Sequence, residues 1–167
     1  MHIEELNKLA ESELKEKLQK CCGSSYWVEK MLHSKPFLSL DDMLFKADQA
    51  WKNTGEKDWL EAFSRHPKIG DLKSLEKKFA STKSFAKNEQ SAVDAAPQAI
   101  LEKLAEGNSL YENKFGFIFI VCATGKSADE MLELLQARLH HARVTELITA
   151  SAEQHKITKL RLQKILS

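Results

Sequence analysis

No charge of one sign dominates this sequence: 25 lysines and arginines are mixed with 24 aspartates and glutamates, for a net +1. That balance excludes a global field able to recruit nucleic acid or an anionic membrane surface. Cysteine is scarce and odd in number, three in all with Cys21 and Cys22 adjacent, which argues against a disulfide framework and for a reducing compartment. The longest apolar run, FIFIVCA at 117–123, is far too short to cross a bilayer. The charged start MHIEELNKLAESELKEK does not read as a signal peptide, and the final Ile-Leu-Ser does not match a peroxisomal address, so the expectation is a cytoplasmic protein. The six glycines never form GxGxxG, GxxxxGK[ST] or GxSxG, which removes the phosphate-binding loops and the serine-hydrolase elbow, and nothing suggests a nucleotide cofactor. The six histidines include no HxxxH and the cysteines no CxxC, so no metal site is expected. Internal repeats, low-complexity tracts and domain linkers are missing as well.

What remains is a chain of 167 residues with 43% apolar and 29% charged residues, the balance of a globular protein with a substantial core. Helical spacing dominates. Leu6, Leu9, Leu14, Leu18 and Cys21 form a stripe that Gly23 and two serines break. Trp27, Met31 and Leu32 share a face before Pro36. SLDDMLFKADQAWKNTG opens on a cap at Ser39 and stops at Gly55, and EKDWLEAFSRH is a short amphipathic helix facing inward with Trp59, Leu60 and Phe63. Residues 68–88 differ: Gly, Ser and Thr are frequent and Lys73, Lys77, Lys78, Lys83 and Lys87 cluster, which predicts a long solvated loop, with room for a short helix near 75–79. Pro97 suits the start of a helix over PQAILEKLAEGNSLYENKF. FGFIFIVCATG has the periodicity of a buried strand, but one strand without a partner makes a poor sheet, so it is expected to be a buried, partly irregular segment of a helical protein. Ser127 with Glu130 forms a capping box ahead of a stripe of Met131, Leu134, Leu135 and Leu139, and a long helix runs from about Ala142 nearly to the end. The fold class expected is all-α: one helical domain over 1–167 with a long functional loop and a long C-terminal helix.

Three features bear on chemistry, each with two readings. In SRHPKIGDL, Pro67 fixes its own φ and pushes His66 toward extended backbone, so His66 lies outside any helix. Either Pro67 merely stops a helix and His66 is a wet loop residue, or a group titrating near neutral pH has been fixed in direction. Arg161 lies between Ile157 and Ile165 at i, i+4, i+8 beside Leu160: its head snorkels to water, or its fork grips a planar anion in a pocket. In NEQSA, Glu89 and Gln90 are an ordinary first helical turn or aim into the cleft that the preceding loop borders. His140 and His141 point to different sides of a helix and read as surface.

Taken together, HPKIG at 66–70, EQSA at 89–92, YENKFGFIFIVCATGK at 111–126 and KLRL at 159–162 stand in the order and rough spacing of the OHCU decarboxylases, and WVEKMLHSKPF at 27–37 resembles their early Trp-…-Arg-Pro-Phe segment. The resemblance covers nearly the whole chain. It implies an all-α enzyme, in many members a homodimer, that decarboxylates 2-oxo-4-hydroxy-4-carboxy-5-ureidoimidazoline to (S)-allantoin without a cofactor. Carried over by position, it implies His66, Glu89 and Arg161 as catalytic residues. Pro67, Ala86, Lys87, Asn88, Gln90 and the backbone wall Phe119, Ile120, Val121, Cys122 and Ala123 would bind the substrate. Ala86 departs from the family, which often has Ser there, so one polar contact is missing or supplied by Asn88 or Ser84. His141 replaces a frequent Asn and is read as structural. The implied partner is a small molecule, with no nucleic acid and no membrane. Two rivals stand beside this: a lyase or hydrolase of another small cyclic amide on the same scaffold, and a non-catalytic helical binding module whose loop lysines meet an acidic partner. Aromatics at core spacing, not interleaved with the lysines, weigh against the module.

Overall fold

The computed structural model describes residues 1–66, 73 and 98–167. Among these residues there are eight helices and no strand, the all-α class that the helical spacing predicted: α1 (Ile3–Lys8), α2 (Glu11–Cys21), α3 (Ser25–His33), α4 (Leu40–Lys52), α5 (Glu56–Ser64), α6 (Gln98–Phe115), α7 (Ala128–Arg138) and α8 (Arg143–Ile165). None is long and apolar enough to cross a membrane. The chain divides into two units, one of residues 1–66, 120–122 and 147–167 and one of residues 67–119 and 123–146.

In the first unit, α1 to α5 and the greater part of α8 enclose a core that includes Leu14, Leu18, Trp27, Met31, Met43 and Leu162. The N-terminal stripe is two helices rather than one. Leu9 takes up an extended conformation (ψ 143°), and the Glu13 carboxylate accepts from the Ala10 N–H at 3.2 Å to begin α2. Side-chain caps open the next helices: Ser24 Oγ accepts from Trp27 N and Ser39 Oγ from Asp42 N. The Asn7 amide clamps the Phe37 backbone, donating to its carbonyl at 2.7 Å and accepting from its N–H at 2.8 Å. Trp27 Nε1 donates to Ala47 O and Trp51 Nε1 to Ser151 O, so both buried indoles are satisfied where they pack.

In the second unit, α6 lies against α7, close enough that a Cβ on Gly107 would stand 2.6 Å from Leu135 Cδ2. Ser127 Oγ caps α7 through Glu130 N, as its spacing predicts. The buried face differs from the expected stripe: Met131, Leu132, Leu135 and Arg138 are buried, while Leu134 and Leu139 are half-buried. Buried Glu146 explains the rotation. It accepts from Arg138 Nε at 2.7 Å, from the Tyr111 hydroxyl, and pairs with His141 Nδ1 at 2.9 Å. Burial, and then the Glu146 carboxylate, push the Tyr111 hydroxyl up, so it remains a donor. The Arg138 guanidinium also lies 4.6 Å from the Phe119 ring centroid, in an aromatic group with Tyr111, Phe115 and Phe117. His141 is exposed, as expected, yet structural.

Past α6, Gly116 adopts φ 81°, a left-handed turn that glycine takes without strain, and its N–H closes on Glu112 O at 2.8 Å. The segment that follows, 117–123, is neither helix nor strand and is buried or half-buried throughout. A long C-terminal helix, α8, is present as predicted. The Pro97 helix start and the lysine-rich loop lie outside the described residues, apart from Lys73, which is exposed.

Candidate active site

Helix α5 buries Ala62 and Phe63 and ends at Ser64; Arg65 N and His66 N then fold back onto Ala62 O and Phe63 O at 3.3 and 3.2 Å. His66 therefore stands just outside a helix whose last turn is anchored in the core. Its ring is not a wet loop group. Half-buried, it hydrogen-bonds through Nε2 to Gln154 Oε1, 88 residues away on α8. Gln154 is in turn held by Thr158: Gln154 Nε2 donates to Thr158 Oγ1 at 3.2 Å, and Thr158 Oγ1 donates to Gln154 O at 3.0 Å. Both side chains are completely buried.

Burial lowers the His66 pKa below the ordinary histidine value; the Gln154 bond opposes this and the Arg161 cation adds to it. Burial thus favours the neutral imidazole, the form that acts as a base. Gly23 secures the approach to it. A Cβ there would fall 2.3 Å from Arg65 Cγ and 2.6 Å from Arg65 Cβ, so only glycine lets the α2–α3 turn pass beside the residue before His66.

Arg161 follows neither expected course in full. It is half-buried, and Nη1 donates to Lys20 O at 3.2 Å and Cys21 O at 3.4 Å, the last carbonyls of α2. A cation at a helix C-terminus satisfies orphan carbonyls and suits the dipole. Among the described residues no other hydrogen bond engages the guanidinium, which lies close enough to His66 to influence it electrostatically. Gln154, Thr158 and Arg161 stand at i, i+4 and i+7, one face of α8. Burial pushes the Cys21 thiol up to about 12 and the Cys22 thiol up to about 11, so neither is a thiolate nucleophile.

Of the expected backbone wall, Ile120 is buried while Phe119, Val121, Cys122 and Ala123 are half-buried. Its peptide groups are not consumed by a helix or a sheet ladder; Cys122 N reaches Glu153 Oε1 at 3.4 Å, and Ala123 O accepts from Lys126 N at 3.1 Å. Pro67, Ala86, Lys87, Asn88, Glu89 and Gln90 lie outside the described residues. Sequence reasoning passed over Gln154 and Thr158, although their register with Arg161 marked them. It also missed a second imidazole, His155, which bonds Asp48 Oδ1 at 2.5 Å and stacks on Trp51 with centroids 5.9 Å apart. Among the described residues no group of three or more His, Cys, Asp or Glu side chains is arranged to hold a metal ion.

Comparison with known proteins settles the kinship. The OHCU decarboxylase family profile matches residues 7–163. This chain belongs to the OHCU decarboxylase family. Among its relatives, the uric acid degradation bifunctional protein TTL of Arabidopsis thaliana is 40% identical over 148 residues, 88% of this chain and 45% of that protein. The 2-oxo-4-hydroxy-4-carboxy-5-ureidoimidazoline decarboxylase of Haloferax volcanii is 25% identical over 166 residues, 99% of this chain and 96% of that one. The chain spans less than half the length of TTL and 33% of the bifunctional PucL of Bacillus subtilis. A crystal structure of an OHCU decarboxylase in the presence of (S)-allantoin superposes with a TM-score of 0.70 at 40% identity, covering 90% of this chain and 96% of that one. An (S)-allantoin synthase, 20% identical with a TM-score of 0.69 over 98% of this chain and 54% of that one, shares the fold.

Proposed function

We propose that this member of the OHCU decarboxylase family is a carboxy-lyase that converts 2-oxo-4-hydroxy-4-carboxy-5-ureidoimidazoline to (S)-allantoin in urate degradation, with His66, Glu89 and Arg161 as its catalytic residues. The observation that carries the reading is the placement of His66: half-buried and held at one nitrogen by Gln154, in a chain matched to the family from 7 to 163. That match runs through both units and supports 1–167 as one catalytic domain.

The chemistry asks for no separate electron sink. The substrate carbon that bears the carboxylate also bears a hydroxyl and adjoins a C=N. When the C–C bond to the carboxylate breaks, its electron pair forms the ring C=C, the C=N pair moves onto nitrogen, and that nitrogen takes a proton. CO2 leaves and an enol remains. His66 then takes the enol O–H proton as the carbonyl forms, while the carbon bearing the ureido group is protonated on one face, giving a single stereoisomer. Arg161 binds an anionic or carbonyl oxygen of the substrate through the guanidinium nitrogens that α2 leaves open. With His66 Nε2 taken by Gln154, Glu89 is assigned to the ureido N–H groups, and Gln90 with the 119–123 backbone to the ring amides. Pro67 fixes the backbone at His66, while Lys87 and Asn88 border the substrate next to Ala86. The same reading makes the protein a cytoplasmic homodimer; its free cysteines fit a reducing compartment.

The test is the ultraviolet absorbance of freshly generated substrate with and without protein, with circular dichroism of the product. Accelerated decay to optically active allantoin is expected. His66→Asn should lower the rate about 10²–10⁴-fold while the protein remains folded, the range of general acid–base groups. A folded variant at wild-type rate refutes the role of His66.

A further inference from the structure

We infer that Gln154, locked by Thr158, is a positioning residue that holds His66 in the Nε2–H tautomer, so that bare Nδ1 is the nitrogen offered to the substrate. This deepens the proposed function and rests on His66 being its base.

The inference follows from counting hydrogens along one buried chain. Thr158 has a single hydroxyl hydrogen, and Gln154 O accepts it at 3.0 Å; the Cys22 thiol that also bonds Thr158 is held protonated by burial and has its own hydrogen to give Oγ1. What Thr158 has left for the Gln154 side chain is a lone pair, so the group facing it at 3.2 Å must be the amide NH2. The other end of the amide, Oε1, then faces His66 Nε2. An amide oxygen only accepts, so Nε2 carries the proton. A neutral imidazole has one N–H, so Nδ1 keeps its lone pair. Flipping the amide would be tolerated by the imidazole, whose other tautomer accepts from an NH2, but it would set the amide oxygen against a Thr158 oxygen whose hydrogen is committed to Gln154 O. Both groups are fully buried, so water offers no alternative partner. Among the described residues, Arg161 is the charged group that acts on His66, and it favours the neutral ring that this scheme requires.

The experiment combines nitrogen NMR of 15N-histidine-labelled protein, above the His66 pKa, with kinetics of Gln154 and Thr158 variants. Wild type should show a protonated Nε2 and an unprotonated Nδ1. Gln154→Leu, which removes the acceptor, should mix the tautomers and lower kcat about 10- to 100-fold with KM little changed. Thr158→Val should free the amide to flip and scramble the same signals, whereas Thr158→Ser, which restores the hydroxyl, should return both tautomer and kcat. Gln154→Glu keeps an acceptor and adds a charge, so the tautomer should persist while the acid limb of kcat/KM moves to higher pH. A protonated Nδ1 in the wild-type protein overturns the inference whether or not any variant folds, as does a wild-type tautomer and kcat in Gln154→Leu. If instead His66→Asn is fully active while the tautomer behaves as stated, it is the catalytic reading of His66 that fails.

Discussion

Substituting Arg161 by lysine separates the cap of α2 that the structure shows from the substrate contact proposed above. Its Nη1 closes the end of α2 with bonds of 3.2 and 3.4 Å to Lys20 O and Cys21 O. Both are long, and lysine keeps the cation and much of the stem. The interaction of a charge with a helix terminus, about 0.3–1 kcal/mol, is therefore largely retained. A loss of stability below about 1 kcal/mol corresponds to a melting shift of no more than about 2–4 °C for a protein of this size. What lysine cannot supply is the planar fork toward the substrate. One charge-assisted hydrogen bond contributes about 1.5–3 kcal/mol, so its loss should lower kcat/KM by about 10- to 150-fold. Both quantities should be measured on one preparation, the first by thermal melting and the second by the absorbance decay of substrate. Full activity at unchanged stability would remove Arg161 from the site and leave it as the cap of α2. Arg161→Gln adds a check on electrostatics: without the cation that helps hold His66 low, the acid limb of kcat/KM should move to higher pH.

Gly23→Ala should destabilise by about 1–3 kcal/mol through overpacking, and should also slow turnover, because the displaced Arg65 adjoins His66; a melting temperature within a degree of wild type contradicts the close approach. Burial holds both His66 and His155 below their ordinary values, although the bonds to Gln154 and Asp48 oppose it. The unfolded chain therefore binds more protons, and their contribution is complete above the unfolded value of about 6.5 and fades as pH falls toward the lower folded values. Urea midpoints should thus decline from pH 7.5 to 5, a decline that a His66→Asn/His155→Asn double variant should reduce; equal slopes refute the assignment. Glu146→Ala removes the buried carboxylate paired with the Arg138 guanidinium in the second unit and should cost about 3–5 kcal/mol, read by chemical denaturation; a loss under about 1 kcal/mol means the pair is not buried as described.

Local signals made most of the fold legible. The caps at Ser39 and Ser127, the short helix before His66 and the long α8 all follow from residues three or four apart, which one turn of helix brings together. The errors arose where a distant partner decided the outcome. Arg138 lies on the buried face of α7 because Glu146 and Tyr111 satisfy it, and Tyr111 is 27 residues away, beyond any periodic pattern. The break between α1 and α2 was visible: Leu9 and Leu14 are five residues apart, a spacing that no helical face accommodates.

The site divides along the same line. His66 announced itself through a local constraint, the proline after it, and the 117–123 segment through an apolar run with no partner to pair with. Gln154 and Thr158 went unread because a glutamine and a threonine on a helix default to its wet side. Their register said otherwise. With Arg161 they continue the face on which Leu147, Ala150 and Leu162 are buried. Polar groups set on a core-facing stripe carry a desolvation cost that only partners offset. Three of them in succession therefore required that something polar be brought to α8 from elsewhere in the chain. Here that something is an imidazole at one end of the stripe and the open carbonyls of α2 at the other. The interruption of an apolar helix face is thus the sequence-level sign of a buried polar site, and it pointed to the residue opposite His66 before any contact was known.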